Sequence, residues 1–146
     1  MTAQKKKKSK QSENEKQLEQ DIEQLERVNK IIEKQQKLND NIKEKTDSIR
    51  EDLKNQLISQ GKFGKQFDDM IEDYLYLVDL KERLKYDIDE NGIRYENTGG
   101  NGFTTFKPNE SCERLLKTNA QMLKILQDLD LKSPDEGGGE EGDDLL

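Results

Sequence analysis

The chain has 146 residues and a net charge of −7; 29% of it is hydrophobic and 39% charged, too sparse in apolar side chains for a large self-sufficient core. One cysteine and no histidine exclude an intrachain disulfide, a standard zinc site and any Cys–His or Ser–His nucleophile pair. The longest uninterrupted apolar run, Tyr74 to Val78, falls far below the roughly 20 residues that span a bilayer, so no membrane partner is expected.

Residues 1–12 are Lys, Gln and Ser without periodicity, and disorder is the default reading. Lys5, Lys6, Lys7, Lys8 and Lys10 precede any acid, so the segment reads either as a phosphate-binding arm or as a solvated basic tail. It is not followed by an apolar run, so a secretory signal is not expected. The single cysteine and missing signal point to a reducing cytosol.

From Glu13 to about Lys45 the composition is Glu, Gln, Lys and Asn. Leu18, Ile22, Leu25, Val28, Ile32, Leu38 and Ile42 recur close to heptad spacing, a thin seam that cannot hold a lone helix in water and so needs a partner. Asn39, Asp40 and Asn41 are weak helix formers, which predicts a break or a frayed joint there. Asp47 or Ser48 then caps a new helix, with Glu51 completing a capping box and Ile49, Leu53 and Leu57 as its stripe.

The best-defined element lies between Gly61 and Gly92. Phe67, Met70, Ile71, Tyr74, Leu77, Val78, Leu84 and Ile88 put a broad stripe on one helix. Asn91-Gly92 supplies its C-terminal stop. With the preceding helix it forms a helix-turn-helix-shaped hairpin, more often a packing unit than a DNA reader. Gly61-Lys62-Phe63-Gly64-Lys65 lacks the spacing and preceding strand of a phosphate loop. Asp68, Asp69, Glu72 and Asp73 suit the positive end of the helix dipole better than a metal. Asp87, Asp89 and Glu90 sit at the unfavourable end, which predicts a basic neighbour, either Lys117 or Lys124 of the last helix or a residue of another subunit.

Beyond Gly92, Ile93–Glu96 and Phe103–Phe106 flank a Gly/Asn-rich stretch, a hairpin or ordered loop closed by Pro108. Asn109 or Ser111 caps a last helix with the stripe Leu115, Leu116, Asn119, Met122, Leu123, Leu126 and Leu129, stopped by Ser133-Pro134. Cys112 reads as a small first-turn residue. The end, DEGGGEEGDDLL, has the composition of a disordered acidic tail.

The expected fold is therefore mainly α: a helical bundle or hairpin core, a short β-hairpin or ordered loop near 93–107, a long coiled-coil-like N-terminal segment and disordered tails. The expected organisation is a basic arm (1–12), a charged helical segment (13–46), a helical core and oligomerisation domain (47–132) and an acidic tail (133–146).

The segments DMIEDYLY (Asp69 to Tyr76), Tyr95-Glu96-Asn97 leading into a Gly-rich loop, and KTNAQMLKILQDLDL (Lys117 to Leu131) together resemble the small subunit of tailed-phage terminases, in the branch common in phages and prophages of Gram-positive bacteria. The resemblance runs from about Ile49 to the acidic end; segment 13–45 has no counterpart in it. It implies a non-catalytic homo-oligomeric ring without cofactors, located in the host cytoplasm. Such a ring binds double-stranded viral DNA near the packaging start and recruits or regulates the large subunit, which carries the ATPase and nuclease. On that reading the DNA-binding charge falls to Lys5, Lys6, Lys7, Lys8, Lys10, Lys62, Lys65, Arg83 and Lys85. Self-association falls to Tyr74, Leu77, Val78, Leu115, Met122 and Leu126, and the acidic tail is a candidate contact for the large subunit. The alternative is a structural coiled-coil or scaffold protein without DNA binding.

Overall fold

The computed structural model describes Thr2 to Leu131. Helix α1 (Thr2–Ser59) is followed by helix α2 (Lys65–Asn91), strands β1 (Arg94–Thr98) and β2 (Thr104–Pro108), and helix α3 (Glu110–Leu129). The mainly helical class, the long N-terminal helix and the hairpin match the expectation. The acidic segment 133–146 lies outside the described residues. Contacts divide the chain after Asn41.

The first unit is the N-terminal part of α1. Helix, not disorder, runs from Thr2 through the lysine arm. The physical reason is that Lys, Gln and Ala are good helix formers and the arm holds no Gly or Pro. The expected break at Asn39–Asn41 is also absent, because weak propensity costs only tenths of a kcal/mol per residue. Gln36 Nε2 instead donates to Asp40 Oδ1 at 3.1 Å, one turn along.

The second unit begins at Ile42, which is buried. Asp47 and Ser48 cap nothing; they lie inside α1, where Asp47 accepts from Arg50 Nη1 at 2.8 Å. The helix ends in a Schellman motif. Lys62 N–H donates to Leu57 O and Gly61 N–H to Ile58 O, and Gly61 takes the left-handed conformation (φ 70°) that the motif requires.

Leu53 and Leu57 of α1, Ile71 and Leu75 of α2, and Leu129 of α3 form the core, with Ile49, Phe67, Met70, Tyr74, Ile125, Leu126 and Leu131 packed around it. The stripe of α2 follows Ile71, Leu75 and Val78, steps of four and three that keep one face. Leu75, which the stripe read from sequence omits, is thus a central core residue, while Tyr76 beside it is 75% exposed.

Polar pairs fix the helices antiparallel. Arg50 of α1 grips Glu72 of α2 with two hydrogen bonds, 2.8 and 3.2 Å. Farther along, Lys45 Nζ donates to Glu82 Oε1 at 2.6 Å. Helix α3 is antiparallel to α2 through Lys81 Nζ to Asn119 Oδ1 at 3.0 Å and Ser111 Oγ to Asp87 Oδ2 at 2.7 Å. Inside α3 the buried Thr118 hydroxyl donates to Arg114 O at 2.7 Å, which satisfies it without a partner helix.

The hairpin pairs β1 and β2 antiparallel, from Arg94 opposite Pro108 to Thr98 opposite Thr104. Asn109 N–H donates to Ile93 O at 2.8 Å and closes its base. Pro108 ends the ladder, as expected. Helix α3 stops at Leu129, short of Ser133-Pro134, because Asp130 adopts a left-handed conformation (φ 50°, ψ 51°) and caps it.

Candidate nucleic-acid interface

The positive charges expected to bind DNA do not form one surface. Lys5, Lys6, Lys7, Lys8 and Lys10 are all exposed on α1. At 100° per residue, four consecutive lysines point to every side of the helix. Glu13 is the first carboxylate after them. Lysines also sit poorly against the positive end of a helix dipole, so this segment gains from any anion laid beside it.

Lys62 is committed elsewhere. Its Nζ donates to Leu129 O at 2.8 Å and to Asp130 O at 2.7 Å, with Asp130 Oδ2 at 3.8 Å. A helix leaves its last four carbonyls without internal partners, and Lys62 satisfies the end of α3. The turn charge expected at DNA thus sits on the carbonyls of a helix end.

Lys65 is exposed at the start of α2, and Arg83 lies on the same helical face, about 27 Å farther along at 1.5 Å per residue. Asp69, Glu72 and Asp79 occupy that face between them, and Arg83 Nε donates to Asp79 Oδ1 at 2.5 Å. Lys85 points to the other side, 3.6 Å from Glu82 Oε1. Burial pushes the Glu82 carboxyl up, but hydrogen bonds and charge from Lys45 and Lys85 outweigh it and hold the group below its ordinary value. A face on which Asp69, Glu72 and Asp79 outnumber Lys65 and Arg83 is a poor track for phosphates. Of the expected set, the geometry keeps together only the lysines of α1.

The self-association set divides as well. Val78 and Met122 are 2% and 6% exposed within one chain, buried where α2 and α3 pack antiparallel. Tyr74 and Leu126 lie half-buried against that core, and Leu77 and Leu115 are half-buried. Burial raises the Tyr74 phenol above its ordinary pKa, with the Lys45 charge opposing.

The apolar surface left open lies elsewhere. Leu18, Ile22, Leu25, Val28 and Ile32 of α1 are 48% to 62% exposed. On α3, Leu116 and Leu123 form a second exposed row seven residues apart, visible in sequence as the part of the α3 stripe that no single face can hold. Ile93, Tyr95, Phe103 and Phe106 are exposed on and beside the hairpin, although a two-stranded hairpin is marginal without cover.

Asp87 shows where the acidic end of α2 finds its partners. Its carboxylate accepts from Ser111 Oγ at 2.7 Å, Asn109 Nδ2 at 3.0 Å and Asn91 Nδ2 at 2.8 Å. These bonds, the Ser111 hydroxyl first, hold it below the usual aspartate range. The neighbour is therefore the N-terminus of α3 and not the expected Lys117 or Lys124; Lys117 pairs with Glu113 at 2.8 Å. Asn109 is the hinge of the arrangement. Its side chain accepts from Ser111 N–H at 3.0 Å and donates to Gly92 O at 2.9 Å.

Among the described residues no group of three or more His, Cys, Asp or Glu is placed to hold a metal ion, and no helix is long and apolar enough to cross a membrane. The cleft beside the α1–α2 turn, lined by Leu57, Phe63 and Phe67 among others, measures about 180 Å³, below the several hundred Å³ of a small-molecule site. No family model, curated protein or solved structure matches the chain.

Proposed function

We propose that the chain is a non-catalytic DNA-packaging adaptor of the terminase small-subunit type. It would assemble as a homo-oligomeric ring in the host cytoplasm, bind double-stranded viral DNA and present itself to the large ATPase and nuclease subunit. The observation that carries the DNA part is the lysine run of α1, five exposed cations ahead of the first carboxylate. The apolar side chains left exposed on α1, α3 and the hairpin support the oligomeric part. The segments from Asp69 to Leu131 support the family. On this reading DNA contacts are chiefly to phosphate, poorly sequence-specific and salt-sensitive.

The test is native mass measurement of the full chain with and without duplex DNA at low salt, repeated after deletion of residues 2–12. A multimer whose DNA affinity falls on deletion, with a salt slope flatter by up to about four, is expected. A monomer or dimer without DNA affinity refutes the adaptor reading. A multimer that ignores DNA would instead favour the second reading, a structural coiled-coil protein, which the exposed seam of α1 also supports.

A further inference from the structure

The seam of α1 from Leu18 to Ile32 is an unpartnered face in the first unit, and its residue types specify what covers it. In heptad terms Leu18, Leu25 and Ile32 fall at one core position (d), and Ile22 and Asn29 at the other (a). All four apolar members are about half exposed or more, and Asn29 is exposed. Ile22 at a with Leu18 and Leu25 at d favours two strands over three or four, Ile32 being the one d position that departs from that pattern.

We infer that this seam pairs with the same seam of a second copy, parallel and in register. Orientation follows from Asn29. Parallel and in register, Leu18, Ile22, Leu25 and Ile32 each meet their own counterpart, and Asn29 meets Asn29 of the partner subunit, amide to amide. An antiparallel pair centred on Ile22 and Leu25 sets Asn29 against Leu18 of the partner subunit and leaves a buried amide without a hydrogen-bond partner, a costly arrangement. A single core asparagine is a known device for fixing register at some cost in stability.

The flanks give the pairing a second signature. In the parallel register Asp21 (position g) lies opposite Glu26 of the partner subunit (position e), a like-charge contact that weakens the pair. In the antiparallel register Asp21 faces a g position and does not meet Glu26. Parallel pairing also brings both lysine arms to one end, doubling the charge offered to a polyanion. The inference does not depend on the DNA-packaging reading, because it rests on residues 18–32 alone; should a ring form, pairing of α1 implies an even number of copies.

The experiment uses the full chain without DNA. Sedimentation equilibrium is compared for the wild type, Asp21→Lys and Leu25→Lys. In parallel, Leu18→Cys on a Cys112→Ser background is oxidised and run under denaturing conditions. Leu18 and Asp21 are exposed in the single chain, so these changes do not touch its core. Asp21→Lys replaces two symmetric repulsions by attractions and should tighten association roughly tenfold. Leu25→Lys should abolish pairing through α1. The Leu18→Cys chain should yield a covalent dimer. Unchanged or weaker association of Asp21→Lys, or no covalent dimer, overturns the parallel in-register pair.

Discussion

Lys62 separates a structural cation from a DNA-binding one. Replacing it by Met keeps an apolar stem of similar length and removes the ammonium that ties the α1–α2 turn to the end of α3. Two charge-assisted hydrogen bonds, 2.8 and 2.7 Å, are lost, and the carbonyls of Leu129 and Asp130 return to solvent or stay unsatisfied. Each bond to a charged group contributes about 1.5–3 kcal/mol when sheltered. The Lys62 side chain is 24% exposed and Asp130 88% exposed, so water recovers much of that, and about 1–2 kcal/mol in total is the expected loss. For a domain of this size that lowers the melting temperature by about 4–15 °C. Urea unfolding followed by far-ultraviolet circular dichroism measures it, and duplex binding by anisotropy across a salt series measures the functional side. Lys62→Met should lower the urea midpoint and leave the salt slope of DNA binding unchanged. A variant of wild-type stability whose salt slope falls by about one would return Lys62 to the DNA surface and refute the cap.

Asp87→Asn should cost about 1 kcal/mol, discounted for its solvent contact, and should alter the acid limb. Because the folded-state pKa of Asp87 is depressed, its stabilisation is fully present above the unfolded value near 4 and is lost as pH falls through the folded one. A wild-type minus Asp87→Asn difference that is flat from pH 6 to pH 2 contradicts this. Ile71, fully buried in the core, should cost about 3–4 kcal/mol on change to Ala; a loss under 1 kcal/mol in urea unfolding places it outside the core. Gly92 has φ 78° and ψ 179° and donates its N–H to Ile88 O at 2.7 Å, a positive-φ conformation that only glycine adopts readily, so Gly92→Ala should cost about 1–3 kcal/mol in the same assay, and a neutral result removes the glycine stop from the account of α2.

The local sequence decided the elements whose signals were short-range. The Gly61 and Gly92 stops, the Asn109 cap and the alternating runs around the Gly/Asn-rich loop each appear where their backbone chemistry requires. Propensity misled where a signal was weak. Asn39–Asn41 and the capping box at Ser48 read as a boundary, yet one helix passes through both, because tenths of a kcal/mol per residue do not break a helix whose neighbours favour it.

The sequence by itself determined the mainly helical class, the hairpin, the absence of histidine-based or multi-cysteine chemistry, and the concentration of positive charge before Glu13. These depend on residue type and spacing along one strand of chain. Only the tertiary structure decided which stripe residues are core. Val78 and Met122 are buried because α3 packs antiparallel on α2, and Leu75 emerged because the buried face follows Ile71. It alone showed that Lys62 caps α3 and that Asp87 holds the α3 N-terminus, since both pairings join residues far apart in sequence. Neither pairing has a periodicity to announce it; each exists because a helix end exposes backbone groups that some distant side chain must satisfy.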